Sequence, residues 1–230
     1  MSDVIVSPLP GIPEVAHGDD LPTLLGDALA RSGGLEDGDV LVVAHKVVSK
    51  AEGRAEPGAD ALAAIMREAR AVRRRRGELV IAETRHGFVC ASAGVDRSNA
   101  PAEGWVVLLP VDPDASARAI RSALARRFRV APAVVVSDSF GRAWRQGTTD
   151  VAIGIAGFAP LLDLRGLADD RGRPLEATTI AVADELAGAA ELVMGKAERI
   201  PAARIRGFPV PSGDGSASDL VMPLERDLFP

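Results

Sequence analysis

Hydrophobic positions along this chain follow two periods. Val40-Leu41-Val42-Val43-Ala44 and Ala133-Val134-Val135-Val136 are continuous, largely β-branched apolar runs, the pattern of buried strands. Val4-Ile5-Val6, Leu79-Val80-Ile81-Ala82-Glu83, Phe88-Val89-Cys90-Ala91-Ser92, residues 105–110, Ile153-Gly154-Ile155-Ala156-Gly157 and residues 203–207 predict further strands. The second and third of these pair around Arg85-His86-Gly87. Helical spacing predicts a helix over residues 21–32, with Leu24, Leu25, Ala28 and Leu29 on one face and Gly33-Gly34 as its stop. Three more helices are predicted: residues 60–76, ending in Arg73-Arg74-Arg75-Arg76; residues 112–129, with acidic residues at the start; and residues 178–194, carrying Asp184, Glu185 and Glu191.

Where the apolar runs stop, polar groups gather. The 40–44 strand runs into His45-Lys46-Val47-Val48-Ser49-Lys50, which suits an anion site and suits a solvated strand end equally. The 88–92 strand runs into Ala93-Gly94-Val95-Asp96-Arg97-Ser98-Asn99. Asp96 and Asn99 either face one ligand or stabilise the turn itself. The 133–136 strand breaks into Ser137-Asp138-Ser139-Phe140-Gly141-Arg142-Ala143-Trp144-Arg145-Gln146-Gly147, predicted to be a polar turn. If the three ends converge, they supply two carboxylates, a hydroxyl, an amide and several cations. Aspartate oxygens suit Mg²⁺ or Mn²⁺, and lysine and arginine suit phosphate oxygens. Together they read as metal-assisted chemistry on a nucleoside triphosphate. Asp184 and Glu185 are no catalytic pair, because adjacent helical residues point about 100° apart.

Composition narrows the field. The 230 residues fit one large domain or two small ones, and 47% hydrophobic with 26% charged residues fits a globular chain. A net charge of -5 gives no general attraction to nucleic acid or anionic membrane. The run Arg73 to Arg76 lacks the interleaved aromatics of a nucleic-acid face and reads as a solvated helix end. No apolar run approaches the roughly 20 residues of a membrane span, and the N-terminus does not read as a signal peptide, so the chain is expected to be cytoplasmic. The single cysteine, Cys90, excludes an internal disulfide and a cysteine metal cluster and reads as a packed thiol. No Walker phosphate loop is present, no GxGxxG opens a helix after a strand, and three histidines give no compelling Ser-His-Asp set.

Taken in order, Leu9-Pro10-Gly11-Ile12, residues 44–54, residues 93–99, residues 137–147, Asp184-Glu185-Leu186-Ala187 and Met194-Gly195-Lys196 span nearly the whole chain. They resemble the coenzyme F420-0:L-glutamate ligase (gamma-glutamyl ligase) family. The resemblance implies a GTP-dependent ligase. The γ-phosphate would activate a carboxylate on the deazaflavin precursor as an acyl phosphate, glutamate's amine would attack it, and later rounds would extend a γ-linked tail. It implies two divalent ions, Mg²⁺ or Mn²⁺, with K⁺ as an activator. The implied fold is α+β, with mixed sheets and packed helices in two interlocked subdomains, forming an intertwined homodimer. Some relatives carry a C-terminal flavin domain; this chain, ending at Pro230, resembles the stand-alone form.

By motif, Asp96, Asp138 and Ser139 match metal ligands. Leu9, Pro10, Gly11, Ile12, His45, Lys50 and Asn99 match nucleotide contacts, as do Met194, Gly195, Lys196, Ala197 and Glu198. Arg142 and Arg145 either neutralise phosphate or bind an acceptor carboxylate. Two positions depart from the family pattern: Ser139 stands where threonine is usual and keeps the ligating oxygen, and Ala143 stands where proline is usual. The alternatives are a GTP- and metal-dependent amide ligase acting on a different carboxylate acceptor, or a GTP-binding module without turnover.

Overall fold

In the computed structural model, which describes residues 3–58 and 60–228, the chain is a mixed α+β fold. In chain order the elements are β1 (Ile5–Pro8), α1 (Leu21–Arg31), β2 (Val40–Ala44), α2 (His45–Ala51), β3 (Ala55–Pro57), α3 (Ala61–Glu68), β4 (Ala69–Arg76), β5 (Leu79–Thr84), β6 (Val89–Ala91) and β7 (Trp105–Val107). They continue with α4 (Pro113–Phe128), β8 (Ala133–Arg142), β9 (Arg145–Ala156), β10 (Leu162–Asp163), β11 (Thr179–Ile180), α5 (Val182–Met194) and β12 (Ala202–Arg206).

The apolar runs make the centre. β2 and β8 lie parallel, Val40 to Ala133 through Ala44 to Ser137, inside a five-stranded sheet of order β1-β12-β2-β8-β9 whose other pairings are antiparallel. Burial on both faces explains why neither run alternates with polar residues. Because β2 and β8 are parallel and adjacent, both apolar runs end at the same edge of the sheet. The polar groups that follow them are therefore neighbours. α4 packs on β8 and β9, and α5 packs on β9, β1 and β12. A second apolar cluster, with Ile65, Val80, Val95, Val106 and Leu108, lies beneath α3, beside the three-stranded sheet β4-β5-β6 and the β3-β7 pair.

Local signals set the helix starts. Asp20, Asp60 and Asp112 each accept an N–H from the residue three positions on, capping α1, α3 and α4. The start of α4 sits so close to β9 that a Cβ on Gly154 would lie 2.3 Å from the Pro113 carbonyl oxygen. Neither backbone segment can move alone. Gly154→Ala is therefore expected to cost about 2 kcal/mol through overpacking and lower the melting temperature by roughly 4–8 °C. A thermal melt of the variant beside the native chain checks this.

Four sequence expectations are corrected. Residues 60–76 are not one helix: α3 stops at Glu68, and Ala69–Arg76 is an edge strand paired with β5. Arg70 and Arg73 reach across to Glu83, so the arginine run is a charged sheet edge. His45-Lys46-Val47-Val48-Ser49-Lys50 is no solvated strand end but the helix α2, with His45, Ser49 and Lys50 buried. Residues 137–147 are not a polar turn: β8 continues through Arg142 and β9 starts at Arg145, leaving Ala143 and Trp144 as the turn. The helix expected over 178–194 begins at Val182, and Thr179–Ile180 is a short strand.

Candidate functional site

The three polar strand ends meet at the shared edge of β2 and β8. α2 begins directly after β2, which places His45 and Lys46 at its start and Lys50 one turn on. His45 is 1% exposed. Its Nδ1 lies 3.3 Å from the Ser49 hydroxyl and its Nε2 lies 3.2 Å from Asp138 Oδ1. That second contact is electrostatic, off the hydrogen-bond line, and Nε2 has no hydrogen-bond partner among the described residues. Burial pushes the Asp138 carboxyl up. The His45 ring, the Ser139 amide and Lys46 outweigh burial and hold it below the usual carboxylate range.

Asp96 arrives from a strained turn. Ser92, Ala93 and Gly94 have φ of 56°, 50° and 73°, three successive left-handed residues where the non-glycine ones cost about 1–3 kcal/mol each. A Cβ on Gly94 would meet Leu109 at 2.5 Å, so only glycine fits the close pass. The chain then bridges to Val107 through two backbone hydrogen bonds, fixing Asp96 beside α2. Lys46 Nζ lies 2.7 Å from Asp96 Oδ2 and donates to the Ser98 hydroxyl at 2.8 Å. Burial raises the Asp96 carboxyl, and Lys46 and Ser98 more than offset it, leaving it low.

Successive strand residues point to opposite faces, and β8 obeys this rule. Asp138 faces His45, while the hydroxyls of Ser137 and Ser139 turn to Asp150 on β9, at 3.0 and 2.5 Å. Lys196, just past α5, donates to the Ser139 hydroxyl and lies 3.3 Å from both Asp150 and Glu191. Burial lowers the Lys196 ammonium, and Asp150 with Glu191 outweighs it and raises it.

The remaining expected contacts spread around this centre. Lys50 is 6% exposed, with its ammonium 2.5 Å from the exposed carboxylate of Glu14. The side chains of Leu9, Ile12 and Met194 belong to the hydrophobic core, so those segments offer a ligand their backbone and their exposed neighbours Pro10, Gly11 and Gly195. Asn99 is exposed with φ 54°. Ala197 and Glu198 are exposed, and the Glu198 carboxylate folds back onto the Ala197 amide. Arg142 and Arg145 flank the hairpin tip, where Arg142 donates to the Gln146 carbonyl. Cys90 is buried and its thiol is pushed up to about 12, first by burial and then by Asp138, as fits a packed thiol. Asp184 accepts the Ala152 amide while Glu185 is exposed, so the two diverge as expected of helix neighbours.

The donor set is hard oxygen: two carboxylates held below the usual range, both near the Lys46 ammonium, and a hydroxyl beside Lys196. No three His, Cys, Asp or Glu side chains converge as a metal cluster among the described residues. Such a set fits Mg²⁺ or Mn²⁺ shared between one or two carboxylates and phosphate oxygens, with no all-protein cage.

The comparisons with known proteins decide the family. The model of F420-0:Gamma-glutamyl ligase matches residues 11–207. The chain belongs to this family. It is 43% identical to coenzyme F420:L-glutamate ligase of Methanothermobacter thermautotrophicus, over 95% of this chain and 96% of the relative. It is 42% identical to the protein of the same name from Methanopyrus kandleri, over 97% and 96%. A third, from Methanocaldococcus jannaschii, is 40% identical over 85% and 86%. The chain is thus a ligase, of a family concerned with coenzyme F420 biosynthesis. Among the described residues no helix is long and apolar enough to cross a membrane.

Within this ligase site, sequence reasoning left Asp150 and Glu191 without a role and named Lys46 only as part of the candidate anion segment. Asp150 was findable: once residues 137–156 are read as a hairpin, Ser137 and Ser139 share a face and Asp150 lies opposite Ser139.

Proposed function

We propose that the chain is a GTP-dependent ligase that joins L-glutamate to the deazaflavin precursor F420-0 through an acyl phosphate and then extends a γ-linked tail. The observation that carries it is the meeting of Asp96, Lys46, His45 and Asp138 at one sheet edge, in a chain about 40% identical to F420:L-glutamate ligases. The γ-phosphoryl group passes to the precursor's carboxylate, GDP leaves, glutamate's amine attacks the acyl carbon, and phosphate departs as the amide forms.

Asp96, Asp138 and Ser139 would hold Mg²⁺ or Mn²⁺. The ions' contribution is to neutralise charge on the transferring phosphoryl group. Lys46, beside Asp96, and Lys50 would supply positive charge to the phosphates. His45 is buried against Asp138, so its ring would limit how that carboxylate can turn. Arg142 and Arg145, exposed on the hairpin tip, would neutralise phosphate or bind the acceptor's carboxylate. A homodimer and activation by K⁺ belong to the same proposal.

Purified protein with GTP, Mn²⁺, glutamate and the precursor is expected to give product heavier by one glutamyl residue, with GDP in equal amount. GDP release with another carboxylate acceptor and none with the precursor would replace this acceptor. GTP binding with no turnover on any acceptor would overturn the ligase reading.

A further inference from the structure

Resting on the assignment of Ser139 as a cation ligand, we propose that Asp150 is a positioning residue that fixes which way the Ser139 hydroxyl points. Asp150 is 5% exposed and pairs in register with Ser139 across β8 and β9. Its Oδ1 accepts the Ser139 hydroxyl at 2.5 Å and its Oδ2 the Ser137 hydroxyl at 3.0 Å. Its own N–H donates to Glu191 Oε2 at 3.1 Å, which ties the strand to α5.

The direction of each bond is forced. A carboxylate has no proton to give, so both hydroxyls must donate to it. An ammonium has no lone pair, so Lys196 must donate to Ser139. The single proton of Ser139 is therefore committed inward to Asp150, and its lone pairs face away, where Lys196 now sits. A serine hydroxyl is ordinarily a free rotor able to present either its proton or its lone pairs. Here the rotor is locked, and only acceptor capacity remains for a cation that displaces Lys196. The carboxylate also draws the hydroxyl proton toward itself, which makes the oxygen a better donor of electron density to a hard cation.

Ser137 has a matching part. Its 1% exposed hydroxyl occupies the second carboxylate oxygen, so Asp150 cannot swing away from Ser139 without leaving a buried hydroxyl unpaired. Glu191 adds a second tether, because it holds both the Asp150 backbone and, at 3.3 Å, the Lys196 ammonium. An amide at position 150 breaks this scheme. Its nitrogen is a donor, so one of the two serines must turn its proton elsewhere.

The test is Mn²⁺ binding in the presence of GTP, read as free Mn²⁺ by electron paramagnetic resonance. The native chain is compared with Ser139→Ala, Asp150→Asn and the double variant, each checked by thermal melt. Ser139→Ala and Asp150→Asn are each expected to weaken binding by roughly tenfold or more, the scale seen when an outer partner of a ligand is lost. The double variant should bind no more weakly than Ser139→Ala alone, because Asp150 acts through that oxygen. Additive losses would mean that Asp150 acts through general stability, and would overturn the proposal. Native-like binding by Asp150→Asn with weak binding by Ser139→Ala would overturn it while leaving Ser139 as a ligand. Native-like binding by Ser139→Ala would overturn the ligand assignment itself. If Asp150→Asn does not fold, Asp150→Ser carries the same comparison.

Discussion

Asp138→Asn is expected to lower the turnover number by about a thousandfold or more while leaving the fold in place. A carboxylate that holds a divalent cation against a transferring phosphoryl group contributes several kcal/mol, and about 4 kcal/mol corresponds to a thousandfold in rate. Asparagine matches aspartate in shape and can keep the bond from the Ser139 amide, now 2.7 Å from Oδ1. What it removes is the negative charge beside His45, whose Nε2 is already short of a hydrogen-bond partner. The melting temperature should therefore move by only a few degrees. The pH dependence separates the two roles. The Asp138 carboxyl is depressed in the folded chain, so the stability it contributes is present above its unfolded pKa of about 3.9 and is lost as pH falls through the folded value. The stability gap between native chain and variant should stay level near neutral pH and close only in acid. Turnover at saturating GTP and Mn²⁺, with melts at both pH values, checks this. Native turnover in the variant would remove Asp138 from the site.

The sequence made the sheet legible because burial on both faces leaves an unmistakable residue pattern. The runs at 40–44 and 133–136 have no polar interruption, and each became a central strand. Their ends were legible as chemistry for the same reason, since a parallel pair brings both ends to one edge. The failures occurred where local preference and tertiary pairing disagree. Residues 69–76 are alanine, valine and arginine, most of them good helix formers, yet they pair with β5, and the partly buried Ala69, Ala71 and Arg73 alternate with exposed residues. A single sequence does not reveal that partner.

The error at 137–147 had the larger consequence for the site. Read as a turn, Asp138 and Ser139 are free to face one ligand. As a strand they are divided between two faces, and each gains a separate set of partners: His45 for one, Asp150 and Lys196 for the other. The register shift between Val136 and Ser137 puts its extra residue, Ile153, on β9 and ahead of both side chains, so it does not bring Asp138 and Ser139 to one face.

Lys50→Met is expected to raise the KM for GTP by roughly 10- to 150-fold with no loss of stability. Lys50 is a 6% exposed ammonium, and its one ion-pair partner among the described residues is Glu14, whose side chain is 78% exposed. Sequestering a charge against a partner that stays in water is a poor way to stabilise a fold, because desolvation offsets the attraction. Methionine keeps the apolar stem, needs no partner and suits the helix, so the melting temperature should hold or rise. A phosphate oxygen taking the place of Glu14 would receive a charge-assisted hydrogen bond worth about 1.5–3 kcal/mol, which sets the expected range. Glu14→Gln should move KM the other way, by a smaller factor, since it removes the anion that competes for the ammonium. Opposite shifts in the two variants, at equal folding stability, are what a phosphate-binding lysine requires. A structural ion pair would instead give both variants lower melting temperatures and an unchanged KM. Initial rates against GTP concentration, run beside thermal melts, distinguish the two outcomes.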